Sequence, residues 1–229
     1  MKIGIVKDIL EANDMVAEVN RRLFKEKGTV VMNLMSSPGA GKTTLLEKSI
    51  SALKDRVRIG VIEGDIQTEL DAERIHKKGV EVVQINTGGA CHLDATMVNQ
   101  AIEKLDLTNI DILFIENVGN LVCPAEFRLG EDMKVMILSV AEGEDKPLKY
   151  PLMFHESQVL IINKIDLLPY CDCDIMRLRQ NSLKINPNLR VFEISCKTES
   201  GLDGWYEWLI KKVVTIQVGT EAQSTKGTK

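Results

Sequence analysis

Apolar and polar residues follow each other along this chain in blocks that predict strands and helices in alternation. Seven short apolar runs predict strands, at residues 29–35, 57–62, 80–85, 110–115, 134–140, 158–162 and 190–194. Stretches with helical patterning predict helices at residues 43–54, 69–78, 94–105, 174–184 and 202–214. Strands that are apolar throughout are expected where helices cover both sides of a sheet. The chain is therefore predicted to be an α/β protein with a mainly parallel sheet flanked by helices.

The two ends of the chain are expected to lie outside this alternation. Residues 5–26 are predicted to form a helix whose apolar stripe consists of Ala12, Val16, Val19 and Leu23. Gly28 is predicted to end that helix. Residues 217–229 are rich in Thr, Ser, Gly and Lys and poor in apolar residues. We therefore expect them to form a disordered tail.

Composition narrows the class of protein. The 229 residues are 44% hydrophobic and 27% charged, which is ordinary for a globular chain and excludes wholesale disorder. The net charge is −4, whereas nucleic-acid-binding proteins usually carry an excess of basic residues. No apolar run reaches the roughly 18 residues of a membrane span, and the first residues lack the apolar core of a signal peptide. We expect a cytoplasmic protein that binds neither nucleic acid nor membrane.

A phosphate-binding loop is predicted between the first sheet strand and the helix after it. Residues 36–43 read Ser-Ser-Pro-Gly-Ala-Gly-Lys-Thr, which fits G-x-x-x-x-G-K-[ST] except that Ser36 replaces the first glycine. Lys42 would reach the β- and γ-phosphates, Thr43 would offer its hydroxyl to Mg²⁺, and Thr44 would contact the α-phosphate. The predicted nucleotide-binding residues here are Pro38, Gly39, Ala40, Gly41, Lys42, Thr43 and Thr44. The alternative is a glycine-rich turn that only caps a helix.

A guanine-binding loop is predicted after the sixth strand. Asn163-Lys164-Ile165-Asp166 fits the N-K-x-D pattern of GTPases. The Asp166 carboxylate can accept two hydrogen bonds from guanine, whereas adenine would leave it unpaired. After the next strand, Ser195-Cys196-Lys197 resembles the S-A-K element that supports the base. Combined with a phosphate loop, these residues favour GTP over ATP, although N-K-x-D alone is also compatible with a structural turn.

Acidic residues at two strand ends are predicted to bind a magnesium ion. Asp65 ends the segment Glu63-Gly64-Asp65, and Glu116 stands where many GTPases carry Asp in D-x-x-G. Carboxylates at strand ends beside a phosphate loop can hold Mg²⁺ and orient the attacking water. We predict Lys42, Asp65 and Glu116 as catalytic residues, with Thr43, Asp65 and Glu116 as the Mg²⁺ site. The alternative is that these carboxylates only cap the next element.

Cysteine and histidine residues suggest a second metal site. Cys91 and His92 are adjacent and precede a predicted helix, and Cys123 follows the Glu116–Gly119 segment. A thiolate and an imidazole suit a soft or borderline divalent metal, and a closed tetrahedral site needs four ligands. A symmetric dimer could therefore share ligands across its axis. Burial of the three side chains as ordinary core and cap residues is the alternative.

These segments together resemble the HypB family, GTPases that help to insert nickel during [NiFe]-hydrogenase maturation. The resemblance rests on residues 37–44, 63–65, 91–95, 116–124, 143–151 and 163–166. It implies a P-loop NTPase of the SIMIBI type, with a helix at 1–28 packed on a GTPase domain at 29–216. It also implies GTP, Mg²⁺, a GTP-promoted homodimer, and Ni²⁺ or Zn²⁺ held by Cys91, His92 and Cys123 at the dimer interface. The implied partners are a HypA-type nickel chaperone and the hydrogenase large subunit precursor.

Other classes of protein share some of these motifs. A urease accessory GTPase carries Cys-Pro-His, whereas Ala125 follows Cys123-Pro124 here. A cobalamin-mutase chaperone GTPase shares the phosphate loop but does not account for Cys91, His92 and Cys123 together. Two further alternatives are a metal-binding module with structural GTP and a partition-type ATPase.

Overall fold

The computed structural model describes residues 5–65 and 70–224. Its strands are β1 (Val30–Ser36), β2 (Ile59–Asp65), β3 (Glu81–Asn86), β4 (Ile112–Glu116), β5 (Met133–Ser139), β6 (Val159–Asn163) and β7 (Arg190–Glu193). Its helices are α1 (Ile5–Lys27), α2 (Lys42–Leu53), α3 (Leu70–His76), α4 (Ala95–Ile102), α5 (Cys123–Glu126), α6 (Lys146–Lys149), α7 (Pro151–Glu156), α8 (Ile175–Ile185) and α9 (Leu202–Ser224). The predicted α/β alternation is therefore confirmed.

The strands form one parallel sheet in the order β3-β2-β4-β1-β5-β6-β7. Strands β1, β5 and β6 are buried along their whole length, which explains why they read as unbroken apolar runs. All carboxyl ends of a parallel sheet meet at one edge, where ligands of α/β proteins bind. The register places Glu63 of β2 directly beside Glu116 of β4 at this edge.

Each predicted strand is present, but several short helices were not predicted. The helices α5, α6 and α7 have four to six residues, too few for a helical period to be visible. Each carries a proline in its first turn, where the missing N–H group costs no hydrogen bond. All three helices lie between β4 and β6 along the chain, and the first of them begins at Cys123.

The predicted apolar stripe of α1 faces the core only in part. Leu23 packs against the core and Val16 is half-buried, whereas Ala12 and Val19 are exposed. The buried positions among residues 8–27 are Asn13, Ala17, Asn20 and Phe24. The asparagines can be buried because their amides are paired with backbone groups of distant loops. Asn13 donates to the carbonyl of Arg128 at 2.8 Å, and Asn20 donates to the carbonyls of Ala95 and Leu129. The helix is thus confirmed, whereas the predicted stripe is only partly buried.

The last helix is longer than predicted. Helix α9 continues from Leu202 to Ser224, so residues 217–224 are helical where we predicted a disordered tail. This stretch contains no proline and one glycine, Gly219, so backbone hydrogen bonding can continue through it. The rest of the predicted tail, 225–229, lies outside the described residues. In the described part of the chain, no helix is both long enough and apolar enough to cross a membrane.

Candidate nucleotide and metal site

The phosphate loop lies between β1 and α2, as predicted. Gly39 and Gly41 have φ values of 76° and 103°, which favour glycine. A Cβ atom on Gly41 would also lie 2.5 Å from Nδ2 of Asn163. The loop therefore approaches the β6 end more closely than any side chain at position 41 would allow. The N-terminus of α2 faces the same cleft and adds partial positive charge there.

Lys42 is buried behind this loop. Its ammonium group donates to the hydroxyl of Ser36 at 3.0 Å, so the serine that departs from the glycine pattern is a partner of the lysine. Burial lowers the pKa of Lys42, and the carboxylate of Glu116 acts in the opposite direction. A cation held with a single neutral hydroxyl partner can turn to a phosphate oxygen at little cost.

Buried carboxylates face the loop from two strand ends. Thr43 donates its hydroxyl to Oε1 of Glu116 at 2.7 Å. The other oxygens, Oε2 of Glu116 and Oε2 of Glu63, are buried without a hydrogen-bond partner among the described residues. Burial, reinforced by Glu116, raises the pKa of Glu63 to about 8. Unpaired carboxylate oxygens beside a threonine hydroxyl fit a hard divalent cation such as Mg²⁺.

A cleft of about 470 Å³ joins these groups. It is lined by residues from the phosphate loop, both acidic strand ends and the guanine loop: Pro38, Gly39, Gly41, Lys42, Thr43, Thr44, Glu63, Gly64, Asp65, Asp71, Arg74, Glu116, Asn117, Val118, Gly119 and Lys164. The predicted residues Thr44, Asp65 and Lys164 thus share one cleft with Lys42. Ala40 belongs to the same loop and is buried.

Three charged residues of the cleft, Glu63, Asp71 and Arg74, were not among the predicted site residues. Glu63 stands two positions before Asp65. Its place beside Glu116 follows from the strand register, which could not be predicted from the sequence. Arg74 of α3 donates to Glu47 at 2.6 Å and to Asp71 at 2.7 Å. No local motif marks Asp71 or Arg74, because their position depends on how α3 packs on α2.

The guanine loop packs directly on the phosphate loop. Asn163 donates to the carbonyl of Ala40 at 2.9 Å, and Lys164 donates to the carbonyl of Gly39 at 2.6 Å. Lys164 has a left-handed backbone with φ 63°, which turns the chain toward the cleft. Asn163 and Lys164 are thereby positioned to fix one loop against the other.

Ser195, Cys196 and Lys197 lie beside this loop in the turn after β7. The hydroxyl of Ser195 donates to Oδ1 of Asp166 at 2.6 Å, which orients the carboxylate predicted to read guanine. The backbone N–H of Cys196 donates to Oδ1 of Asn163 at 3.3 Å, and Lys197 is exposed. All residues of the two predicted base motifs are therefore brought together.

Cys91, His92 and Cys123 form a three-residue cluster. Their ligand atoms lie within 4.8 Å of one another, and the two sulfur atoms are 3.0 Å apart. The His92 ring packs on that of Phe127 at a tilt of 36°, with ring centroids 4.0 Å apart, and burial lowers the pKa of its imidazole. A neutral imidazole and two thiols form a donor set suited to Ni²⁺ or Zn²⁺.

Comparison with known proteins identifies the family of the chain. Residues 30–193 match the CobW/HypB/UreG nucleotide-binding domain. The hydrogenase maturation factor HypB of Rhizobium leguminosarum bv. viciae is 53% identical over 207 residues, which cover 90% of this chain and 69% of that protein. The chain belongs to the HypB family. The predicted resemblance is thus confirmed at the level of the family.

Solved structures agree with this assignment. The crystal structure of HypB from Helicobacter pylori, in complex with nickel, is 41% identical with a TM-score of 0.85, covering 89% of this chain and 96% of that one. The signal recognition particle receptor FtsY from Elizabethkingia anophelis, at 15% identity and TM-score 0.52, shares the fold alone and covers 80% of this chain and 66% of that one. This HypB-family chain therefore has the predicted SIMIBI-type P-loop GTPase fold.

The buried Glu63 carboxyl predicts a pH-dependent stability of the protein free of nucleotide and Mg²⁺. Its pKa is about 8 in the folded chain against 4.5 for an ordinary Glu. Between these values the folded protein keeps a proton that the unfolded chain has lost, so stability should fall as pH rises from about 5 to about 8. The Glu63→Gln side chain has no carboxyl proton to lose. Its free energy of unfolding should therefore exceed that of wild type by on the order of 1–3 kcal/mol at pH 8, with a smaller difference at pH 5.

Urea unfolding at both pH values measures this difference in the presence of a chelator. Glu103→Gln, changed at an exposed position, controls for the substitution itself. If the free energy of unfolding changed with pH in the same way in wild type and Glu63→Gln, the raised pKa of Glu63 would be contradicted.

Proposed function

We propose that this HypB-family chain is a GTP-hydrolysing metallochaperone that assists nickel insertion into [NiFe]-hydrogenase. The observation that carries the proposal is the short connection between two kinds of site. The segment from Glu116, which accepts a hydrogen bond from Thr43 of the phosphate loop, reaches Cys123 of the metal cluster after seven residues. A change at the γ-phosphate can therefore alter the positions of the proposed metal ligands.

GTP is the proposed nucleotide because the Asp166 carboxylate, which accepts from Ser195, can also accept hydrogen bonds from guanine. Mg²⁺, when bound at Thr43, Asp65 and Glu116, would neutralise charge on the β- and γ-phosphates. Lys42 would leave Ser36 and pair with the same phosphates. Asp65 is proposed to orient the water that attacks the γ-phosphate in line. GTP would then be cleaved to GDP and phosphate.

Ni²⁺ or Zn²⁺ is the proposed cargo of Cys91, His92 and Cys123. One chain supplies three donors within 4.8 Å, while a closed tetrahedral site needs four. Cys91 is exposed, which suits a shared site at the interface of a GTP-promoted homodimer. The nickel in the H. pylori relative supports the choice of metal.

Hydrolysis would reopen the homodimer and release nickel. The proposed partners are a HypA-type nickel chaperone and the precursor of the hydrogenase large subunit, both in the cytoplasm. This part of the proposal rests on the relatives, which are named as hydrogenase maturation factors.

Lys42→Ala should lower GTP turnover at least about 100-fold, because it removes the cation that faces the developing phosphate charge. Phosphate release at saturating GTP and Mg²⁺ measures the loss. Lys54→Ala, which removes an exposed lysine just after the same helix, should turn over GTP like wild type. Near-normal turnover of Lys42→Ala would refute the phosphate-loop assignment.

Cys123→Ala should weaken Ni²⁺ binding at least about tenfold, since even outer-shell changes at metal sites cost this much. GTP affinity should stay within a few-fold of wild type. Calorimetric titration with Ni²⁺ and with GTP separates the two effects. Cys171→Ala is the matched control, because Cys171 is also partly exposed but lies outside the cluster. Unchanged Ni²⁺ affinity in Cys123→Ala would exclude the site.

A further inference from the structure

The segment from Glu116 to Gly119 touches the phosphate loop at two points. Glu116 accepts the hydrogen bond of Thr43 at 2.7 Å. Gly119 lies so close to Pro38 that a Cβ atom there would be 3.1 Å from the proline backbone. Any movement of the phosphate loop on nucleotide binding therefore acts directly on this segment.

Asn117 links the same segment to the metal loop, residues 91–93. Its Oδ1 accepts from the backbone N–H of Leu93 at 3.0 Å and from that of Val118 at 3.0 Å. Its Nδ2 donates to Oδ1 of Asn33 at 3.2 Å, and its side chain is 1% exposed. Because two backbone N–H groups donate to the same oxygen and water is excluded, the Asn117 amide has one well-defined orientation.

Leu93 is the residue through which this link reaches the metal ligands. It follows His92 directly and is fully buried. A Cβ atom on Gly64, between Glu63 and Asp65, would lie 2.7 Å from its side chain. Leu93 is thus packed on the β2 end and hydrogen-bonded to the β4 end, while Cys91, two residues earlier, is exposed.

We propose that Asn117 is the positioning residue through which the nucleotide site sets the geometry of Cys91 and His92. The inference rests on the proposed function, since it explains how GTP and nickel binding would be coupled. A shift of the 116–119 segment that broke the Leu93 bond would leave the buried N–H group of Leu93 without an acceptor, which is unfavourable. The metal loop should therefore move together with the 116–119 segment.

The test measures the coupling between the two ligands. Ni²⁺ affinity is measured with a non-hydrolysable GTP analogue and Mg²⁺, and again with GDP and Mg²⁺, and the ratio of the two is the coupling factor. In Asn117→Ala we expect this factor to fall to about one. The Ni²⁺ affinity with GDP should stay within a few-fold of wild type.

Asn33→Ala is the matched control. It removes a buried asparagine from the same network, with a comparable loss of hydrogen bonds, but leaves the bond between Asn117 and Leu93 in place. It should keep the wild-type coupling factor. An equal loss of coupling in both variants, or a wild-type coupling factor in Asn117→Ala, would overturn the proposed role of Asn117 but not the proposed function. A factor of one in the wild-type chain would instead overturn the proposed function and this inference with it.

Hydrogen exchange of the wild-type chain tests the same link without a substitution. The Leu93 amide should change its exchange rate several-fold when the GTP analogue replaces GDP, because its acceptor moves with the segment. An unchanged rate at Leu93, with changed rates in the phosphate loop, would overturn the proposal even if Asn117→Ala did not fold.

Discussion

The hydrogen bond between Thr43 and Glu116 is the contact on which the site depends. It joins the helix that follows the phosphate loop to the end of a central strand, and it leaves a second Glu116 oxygen buried beside Glu63. Two buried carboxyl groups at adjacent strand ends are unfavourable as a pair of anions unless one is protonated or a cation lies close. Under the proposed function, nucleotide-bound Mg²⁺ would supply such a cation, so that ligand binding would act on the end of β4.

The proposed metal ligands are placed to respond to that event. Cys123 follows the strand end along the chain, while Cys91 and His92 approach it from the loop after β3. Three donors on two separate segments need external support to stay within 4.8 Å of one another. The buried Asn117 amide accepts from the N–H of Leu93 beside one segment, and Cys123 begins a short helix on the other.

Much of this arrangement could be predicted from the sequence, because the strands are apolar throughout and carboxyl ends of parallel strands share one edge. Asp65, Glu116 and the two base motifs converge for that reason. The inner face of α1 could not be predicted, since buried Asn13 and Asn20 are satisfied by backbone carbonyls more than seventy residues away. The roles of Glu63 and Asn117 were likewise hidden, because strand register and a side chain-to-backbone bond decide them.

The most direct test of coupled nucleotide and metal binding is a Ni²⁺ titration of the wild-type chain, with and without a non-hydrolysable GTP analogue and Mg²⁺, while light scattering follows its solution mass. We predict that the nucleotide doubles the mass and changes the Ni²⁺ affinity or stoichiometry under the same conditions. Equal Ni²⁺ binding in both states at an unchanged mass would contradict the coupling and leave a GTPase with an independent metal site.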